Sequence, residues 1–289
     1  MVILVPRFRS WRLLSHSNEM SASSLSDRSH WPPVLLYHAV TQASTDPDGV
    51  CVPPELFEAQ MLFLKRHNLR GVSMRELLCA TSAGNARGLI GLTFDDGYEH
   101  LSQTALPVLE RLGFSCTVFI LSGMLGQHNS WMNEPRLKLL EVDHVRELSK
   151  RGIEIASHGA THISLPGLSS QLLDREVNGS RHVLGEVLGE EVKGFCYPYG
   201  SMDNRVIQAV QRADYTYACT ALEGVWWESP YAIPRVFVGK GDNIPKLRAK
   251  LWAYSKYTDI ARMRYTKAAY TLVRPTPLWK FIVRRLWYR

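Results

Sequence analysis

Short apolar runs alternate with longer segments in which apolar residues recur every three or four positions. The runs at 34–37 (VLLY), 89–94 (LIGLTF), 116–121 (CTVFIL), 153–156 (IEIA), 194–197 (GFCY), 217–220 (YACT) and 233–238 (IPRVFV) predict seven strands. The segments 54–67, 103–112, 143–151, 169–188 and 204–212 predict helices; Phe57, Met61 and Leu64, for example, share one face. Strand and helix alternate along the chain, the pattern of repeated β–α units, so the expected fold is α/β: a parallel sheet covered by helices. Seven strands favour a closed or nearly closed barrel.

Composition places limits on this picture. The chain has 289 residues, 45% of them hydrophobic and 21% charged, enough apolar material for one large domain and too much for global disorder. Residues 1–30 include a Ser-rich stretch nearly free of large apolar side chains and are expected to form a flexible leader; 31–245 is the folded domain. The formal charge of +7 belongs to a third segment, 246–289, which holds twelve Lys or Arg against the single acid Asp259. Its basic and aromatic residues suit a helical tail lying on an anionic membrane surface, or equally a helix packed on the barrel with a solvated basic face. No nucleic-acid module is present. Five scattered cysteines without a CxxC pair read as reduced thiols, and the five-residue apolar opening is shorter than a signal peptide. The expected location is cytoplasmic, with peripheral membrane contact through 246–289 as a further expectation.

In parallel α/β folds the chemistry sits in loops after the carboxyl ends of strands. Four such loops begin with unusual polar residues: Tyr37-His38, Asp95-Asp96-Gly97, Ser157-His158 and Pro198-Tyr199-Gly200. Two adjacent carboxylates at the end of a buried strand repel each other and lose hydration, which a cation would offset. An Asp-Gly turn with solvated carboxylates is the plainer alternative. His158 and His162, four residues apart, would share one side of a helical turn and could share an ion.

TFDDG at 93–97, HxxxH at 158–162 and YPYG at 197–200, in that order, resemble the polysaccharide deacetylases of the NodB-homology type, carbohydrate esterase family 4, over about 34 to 240. The resemblance implies a distorted (β/α)7 barrel, here with a basic helical C-terminal tail, and hydrolysis of the acetamide of N-acetylated sugars in a glycan. It implies one divalent ion, Zn²⁺ or alternatively Co²⁺, Ni²⁺ or Fe²⁺, held by Asp96, His158 and His162. Asp95 would be the general base, and the backbone N–H of Tyr199 would face the oxyanion.

The chain departs from the family pattern twice. Cys196 stands where many relatives have an Arg that orients the base; Arg235 is the candidate replacement, a surface or structural ion pair its plainer role. The final motif, which normally supplies a His as general acid, reads Val238-Gly239-Lys240-Gly241-Asp242. His38 is the candidate acid, as in the branch resembling poly-N-acetylglucosamine deacetylases; the alternative is a buried His bonded to backbone. Trp131, Trp226 and Trp227 could stack on sugar faces or serve packing. Two further readings follow from these departures, a carbohydrate-binding pseudoenzyme and a hydrolase of another non-peptide C–N bond.

Overall fold

A computed structural model describes residues 32–221 and 229–264, with side chains as far as Tyr254. Seven parallel strands make a ring: β1 (Val34–Tyr37), β2 (Leu89–Phe94), β3 (Thr117–Ile120), β4 (Glu154–Ser157), β5 (Gly194–Cys196), β6 (Tyr217–Ala221) and β7 (Ile233–Phe237). Each pairs with its neighbours in chain order. β7 closes on β1 with Leu35 opposite Val236 and Leu36 opposite Phe237. The ring is the closed (β/α)7 barrel that the apolar runs predict. Three shorter strands escape the sequence pattern: Arg70–Val72 extends the first half of β2, and Ala39–Val40 pairs with Cys51–Val52.

The helices are α1 (Pro54–Arg66), α2 (Met74–Ser82), α3 (Ala105–Leu112), α4 (Val142–Lys150), α5 (Ser170–Asp174), α6 (Ser180–Leu188), α7 (Asn204–Arg212) and α8 (Ile244–Arg264). A π-helical turn, Arg175–Gly179, joins α5 to α6. Side-chain oxygens of Ser73, Ser169 and Asp203 accept the N–H groups of Glu76, Leu172 and Val206, starting α2, α5 and α7 where free N–H donors need partners.

The period of two along each strand separates two apolar layers. Leu35, Leu92, Val118, Ile155, Phe195 and Val236 point outward and pack under the helices. Val34, Phe119, Ala156, Cys196, Tyr217, Cys219 and Ile233 point into the lumen, where Met74 and Leu77 of α2 join them. Each Val, Leu, Ile, Phe or Met among them contributes about 1.5–3 kcal/mol by leaving water. Deeper in the lumen lies Glu154, whose carboxylate accepts from Thr117 Oγ1 (2.6 Å), the Tyr217 hydroxyl (2.9 Å) and the Arg75 backbone N–H (2.7 Å). The barrel is therefore plugged at its floor and chemically open only at its mouth.

α8 begins inside the shell. Leu247, Lys250 and Tyr254 are buried. Lys250 Nζ lies 2.6 Å from an Asp242 carboxylate oxygen and donates to the Phe237 carbonyl. The basic segment thus starts as a helix packed on the barrel. The leader, Trp226, Trp227 and everything past 264, including most of the segment expected to touch a membrane, lie outside the described residues. Among the described residues no helix is long and apolar enough to cross a membrane.

Candidate active site

Inward positions on β2 run Gly91, Thr93, Asp95, so the first carboxylate of the pair continues the strand's alternation into the lumen. Its backbone N–H still donates to the Tyr37 carbonyl. Asp96 and Gly97 then adopt left-handed conformations (φ 71° and 74°), turning the second carboxylate away from the first. Position 97 favours glycine because of this left-handed backbone, and a Cβ there would also press on Ile120 Cδ1 at 2.7 Å.

Asp95 is held by Arg235, which reaches it from the inward face of β7. Nη1 and Nη2 bond the two carboxylate oxygens at 2.6 and 2.7 Å. The guanidinium also donates to Thr93 Oγ1, the Thr220 carbonyl and Cys196 Sγ, and lies over the Phe119 ring. With 2% of its surface exposed, Arg235 is no surface residue. Burial pushes the Asp95 carboxyl up, but the Arg235 charge, with help from His158, outweighs it and holds the pKa below the usual carboxylate value. The small Cys196 thiol, 3.5 Å from the same carboxylate, leaves the space that this arginine occupies.

Asp96 faces two imidazoles. His158 Nε2 and His162 Nε2 each lie 3.4 Å from its Oδ1, and all three residues are buried. His158 follows β4 with its backbone N–H on the Ile120 carbonyl, and its Nδ1–H donates to the Cys196 carbonyl at 2.9 Å, aiming Nε2 at Asp96.

His162 corrects the expectation of a shared helical turn. Residues 158–162 form a loop with Gly159 at φ 83° and His162 at φ 60°. The backbone groups a helical turn would use are taken by other elements. Ser122 and Gly123 donate their N–H groups to the carbonyls of Gly159 and Ala160, and Glu176 accepts the N–H groups of Ala160 and Thr161. The imidazoles meet because the loop doubles back.

The His162 ring is packed between Trp131, stacked at 4.3 Å, and Tyr199, edge-on at 4.5 Å. Trp131 therefore orients a site residue besides bordering the mouth. Tyr199 sits at φ 58° in the turn Pro198–Gly200 and is 59% exposed. Gly200 beside it has φ 64°, and a Cβ there would strike the backbone nitrogen of Ala221 at 2.8 Å. His38, one residue past β1, meets Phe237 edge-on, and its buried Nδ1 has no hydrogen-bond partner among the described residues. That differs from the expectation of a histidine satisfied by backbone. His38 is near enough to Asp95, Asp96 and His162 to influence the charge of each.

The donor set fits a divalent cation. Asp96 Oδ1 is buried without a hydrogen-bond partner among the described residues. The coordinating atoms of Asp96, His158 and His162 all lie within 4.8 Å of one another. Two ligand atoms each about 2.1 Å from a tetrahedral centre stand about 3.4 Å apart, the spacing Asp96 shows to both imidazoles. Burial raises the Asp96 carboxyl, yet His158, His162 and His38 together bring it well below its ordinary value. Burial lowers His158, but Cys196, Asp95 and Asp96 overcome it and hold that imidazole well above its usual value. His162 is pushed down to about 4, chiefly by burial.

Two parts of the site were not read from the sequence. Glu176 resembles any acid on a helix face, and Tyr98, whose buried hydroxyl adjoins Asp96, resembles a core aromatic. The lone acid of IEIA at 153–156 was the readable signal for Glu154, since it stands between residues committed to two buried faces.

Comparison with known proteins accords with this geometry. The polysaccharide deacetylase family model matches residues 83–218, which hold Asp95, Asp96, His158, His162 and Tyr199 but neither His38 nor Arg235. YxkH of Bacillus subtilis (strain 168), named for the same family, is 27% identical over 72% of each chain. The poly-beta-1,6-N-acetyl-D-glucosamine N-deacetylase of Staphylococcus aureus (strain MSSA476) is 22% identical, covering 78% of this chain and 84% of its own. The structure of IcaB from Ammonifex degensii superposes with a TM-score of 0.65 at 22% identity, covering 78% of this chain and 98% of that one. Residues 83–218, which hold both carboxylates and both imidazoles of the mouth, are thus similar to the polysaccharide deacetylases, the family that the motifs resemble.

Proposed function

We propose that this protein removes acetyl groups from N-acetylated sugars of a glycan, with β-1,6-linked N-acetylglucosamine polymers as the first substrate class to test. The observation that carries this reading is the pairing at the mouth: one buried carboxylate shared by two imidazoles, and a second fixed bidentately by a buried arginine beside it. The similarity to the staphylococcal enzyme supplies the substrate class.

Asp96, His158 and His162 would hold the cation. When bound, a divalent ion supplies Lewis-acid polarisation of the acetyl carbonyl and acidifies water. Asp95 takes a proton from the attacking water, and Arg235 keeps that carboxylate ionised and pointed at the reacting centre. The Tyr199 backbone N–H, on the turn fixed by Pro198 and Gly200, donates to the oxyanion as the carbonyl becomes tetrahedral. His38 delivers a proton to the departing amine. Trp131 and the exposed Tyr199 ring offer apolar faces at the rim for a sugar.

Two observations support an active enzyme over the pseudoenzyme that the departures from the family pattern suggested. Arg235 reaches the base from another strand, and a histidine stands at 38. The test is acetate release from N-acetylglucosamine oligomers by the purified full chain, with and without chelation and Zn²⁺, Co²⁺, Ni²⁺ or Fe²⁺ restoration. Chelator-sensitive acetate release is expected. Binding of oligomers with no release under any of these cations would leave only a lectin-like role, and release from a cyclic amide alone would move the reaction to another C–N bond.

A further inference from the structure

The loop that presents His162 does not hold its own shape. Gly159 and His162 both have left-handed backbone, and residues 158–162 form no helical turn. Its N–H groups at 160 and 161 are directed instead at Glu176, on the π-helical turn between α5 and α6. Glu176 is 3% exposed. Its Oε2 accepts from the N–H of Ala160 (2.8 Å) and Thr161 (3.0 Å), and its Oε1 from Thr161 Oγ1 (2.6 Å). Three donors converge on one side chain, and only a group with two acceptor oxygens takes all three. On the opposite edge the loop's carbonyls are taken by Ser122 and Gly123, where a Cβ at 123 would come within 3.0 Å of the Ala160 carbonyl oxygen.

We propose that Glu176 is a positioning residue for the cation site: it fixes the 158–162 loop so that the second imidazole meets Asp96 together with the first. The inference rests on the reading of Asp96, His158 and His162 as cation ligands. Glu176 itself bonds none of them, so its effect travels through the backbone of the loop. The extra residue of a π-helical turn changes which side chains of the segment face inward, and such turns recur at functional sites. Here the turn brings a carboxylate under the loop that the ligand spacing alone would not build.

The test is Zn²⁺ binding to the full chain, followed by calorimetry, with thermal unfolding of the metal-free protein alongside. Glu176→Ala should bind Zn²⁺ about 10–100-fold more weakly, the usual cost of losing a partner that orients a ligand. Glu176→Gln should restore affinity to within about fivefold, because its amide oxygen still accepts both N–H groups and the Thr161 hydroxyl can reverse its role. Glu154→Gln, an equally buried carboxylate at the barrel floor, should leave Zn²⁺ affinity unchanged despite lower stability. Wild-type affinity in Glu176→Ala would overturn the inference while leaving the ligands as assigned; failure of the wild-type chain to bind Zn²⁺ would overturn both. Should Glu176→Ala not fold, Thr161→Val deletes one of the three bonds and should weaken binding about two- to fivefold, and unchanged affinity there would overturn the inference as well.

Discussion

The floor and the mouth of this barrel each bury a carboxylate, and the two are satisfied in opposite ways. Glu154 at the floor receives two hydroxyl protons and a backbone N–H, with Arg75 Nε 3.9 Å away. Asp96 at the mouth receives none at Oδ1, although its neighbours are two imidazole nitrogens at 3.4 Å. A carboxylate surrounded by donors is a structural element, complete as it stands. One whose buried oxygen meets only two imidazole nitrogens at 3.4 Å is balanced by protons that a cation can replace, because a buried charge needs a partner of opposite sign. The difference is what the proposed cation site at the mouth rests on, while the floor is a plug.

The sharpest way to break this contrast is to remove the acceptors at the mouth. Asp96→Ala should lose stoichiometric metal and essentially all acetate release, read by metal analysis and turnover; retained metal would place the ion elsewhere. Next comes the carboxylate between the two regions. Arg235→Met strands Asp95 as a buried unpaired charge and should lower unfolding free energy by about 3–5 kcal/mol in denaturant titration, together with kcat. Full activity in that variant would remove Arg235 from the account of the base. His38→Ala should lower kcat by about 10²–10⁴-fold while metal content stays at the wild-type level, if it delivers the proton as proposed. Loss of metal instead would make it a ligand.

Smaller effects test the floor and the charge balance. Glu154→Gln should cost about 1–3 kcal/mol of stability and leave kcat within about twofold, because it unbalances donors far from the reacting groups. The raised pKa of His158 has two consequences with opposite pH signs. Its proton stabilises the metal-free fold fully below the ordinary imidazole value near 6.5, and that contribution fades as pH rises through the higher folded value. Cation binding must displace the same proton, so metal affinity should rise with pH by at most about tenfold per unit. Melting and calorimetry between pH 6 and 8 read both; affinity flat across that range would contradict the protonated state.

Much of this fold was legible because it depends on periodicity. All seven barrel strands coincide with apolar runs, since strands buried on both faces need uniformly apolar sequence. The short strands at 39–40, 51–52 and 70–72 were not legible, because so few positions carry no period. Asp95, Asp96, His158 and His162 were readable from type and spacing, and the structure brings them together. What spacing misassigned was the conformation: HxxxH suggests a helical turn, whereas the loop is shaped by Glu176, Ser122 and Gly123, which are distant in sequence. Left-handed Asp96, His162 and Tyr199 were equally invisible, because side chains other than glycine rarely adopt that conformation and nothing local in the sequence marks it. Arg235 was a candidate from its place on the last strand, and the ring closure of β7 on β1 explains how it reaches Asp95.

Crystals soaked in Zn²⁺ and measured across the zinc absorption edge test the central claim most directly. The account predicts one anomalous peak about 2.0–2.2 Å from an Asp96 carboxylate oxygen and from Nε2 of both His158 and His162. A peak bound elsewhere, or none in protein that is otherwise folded as described, would contradict it.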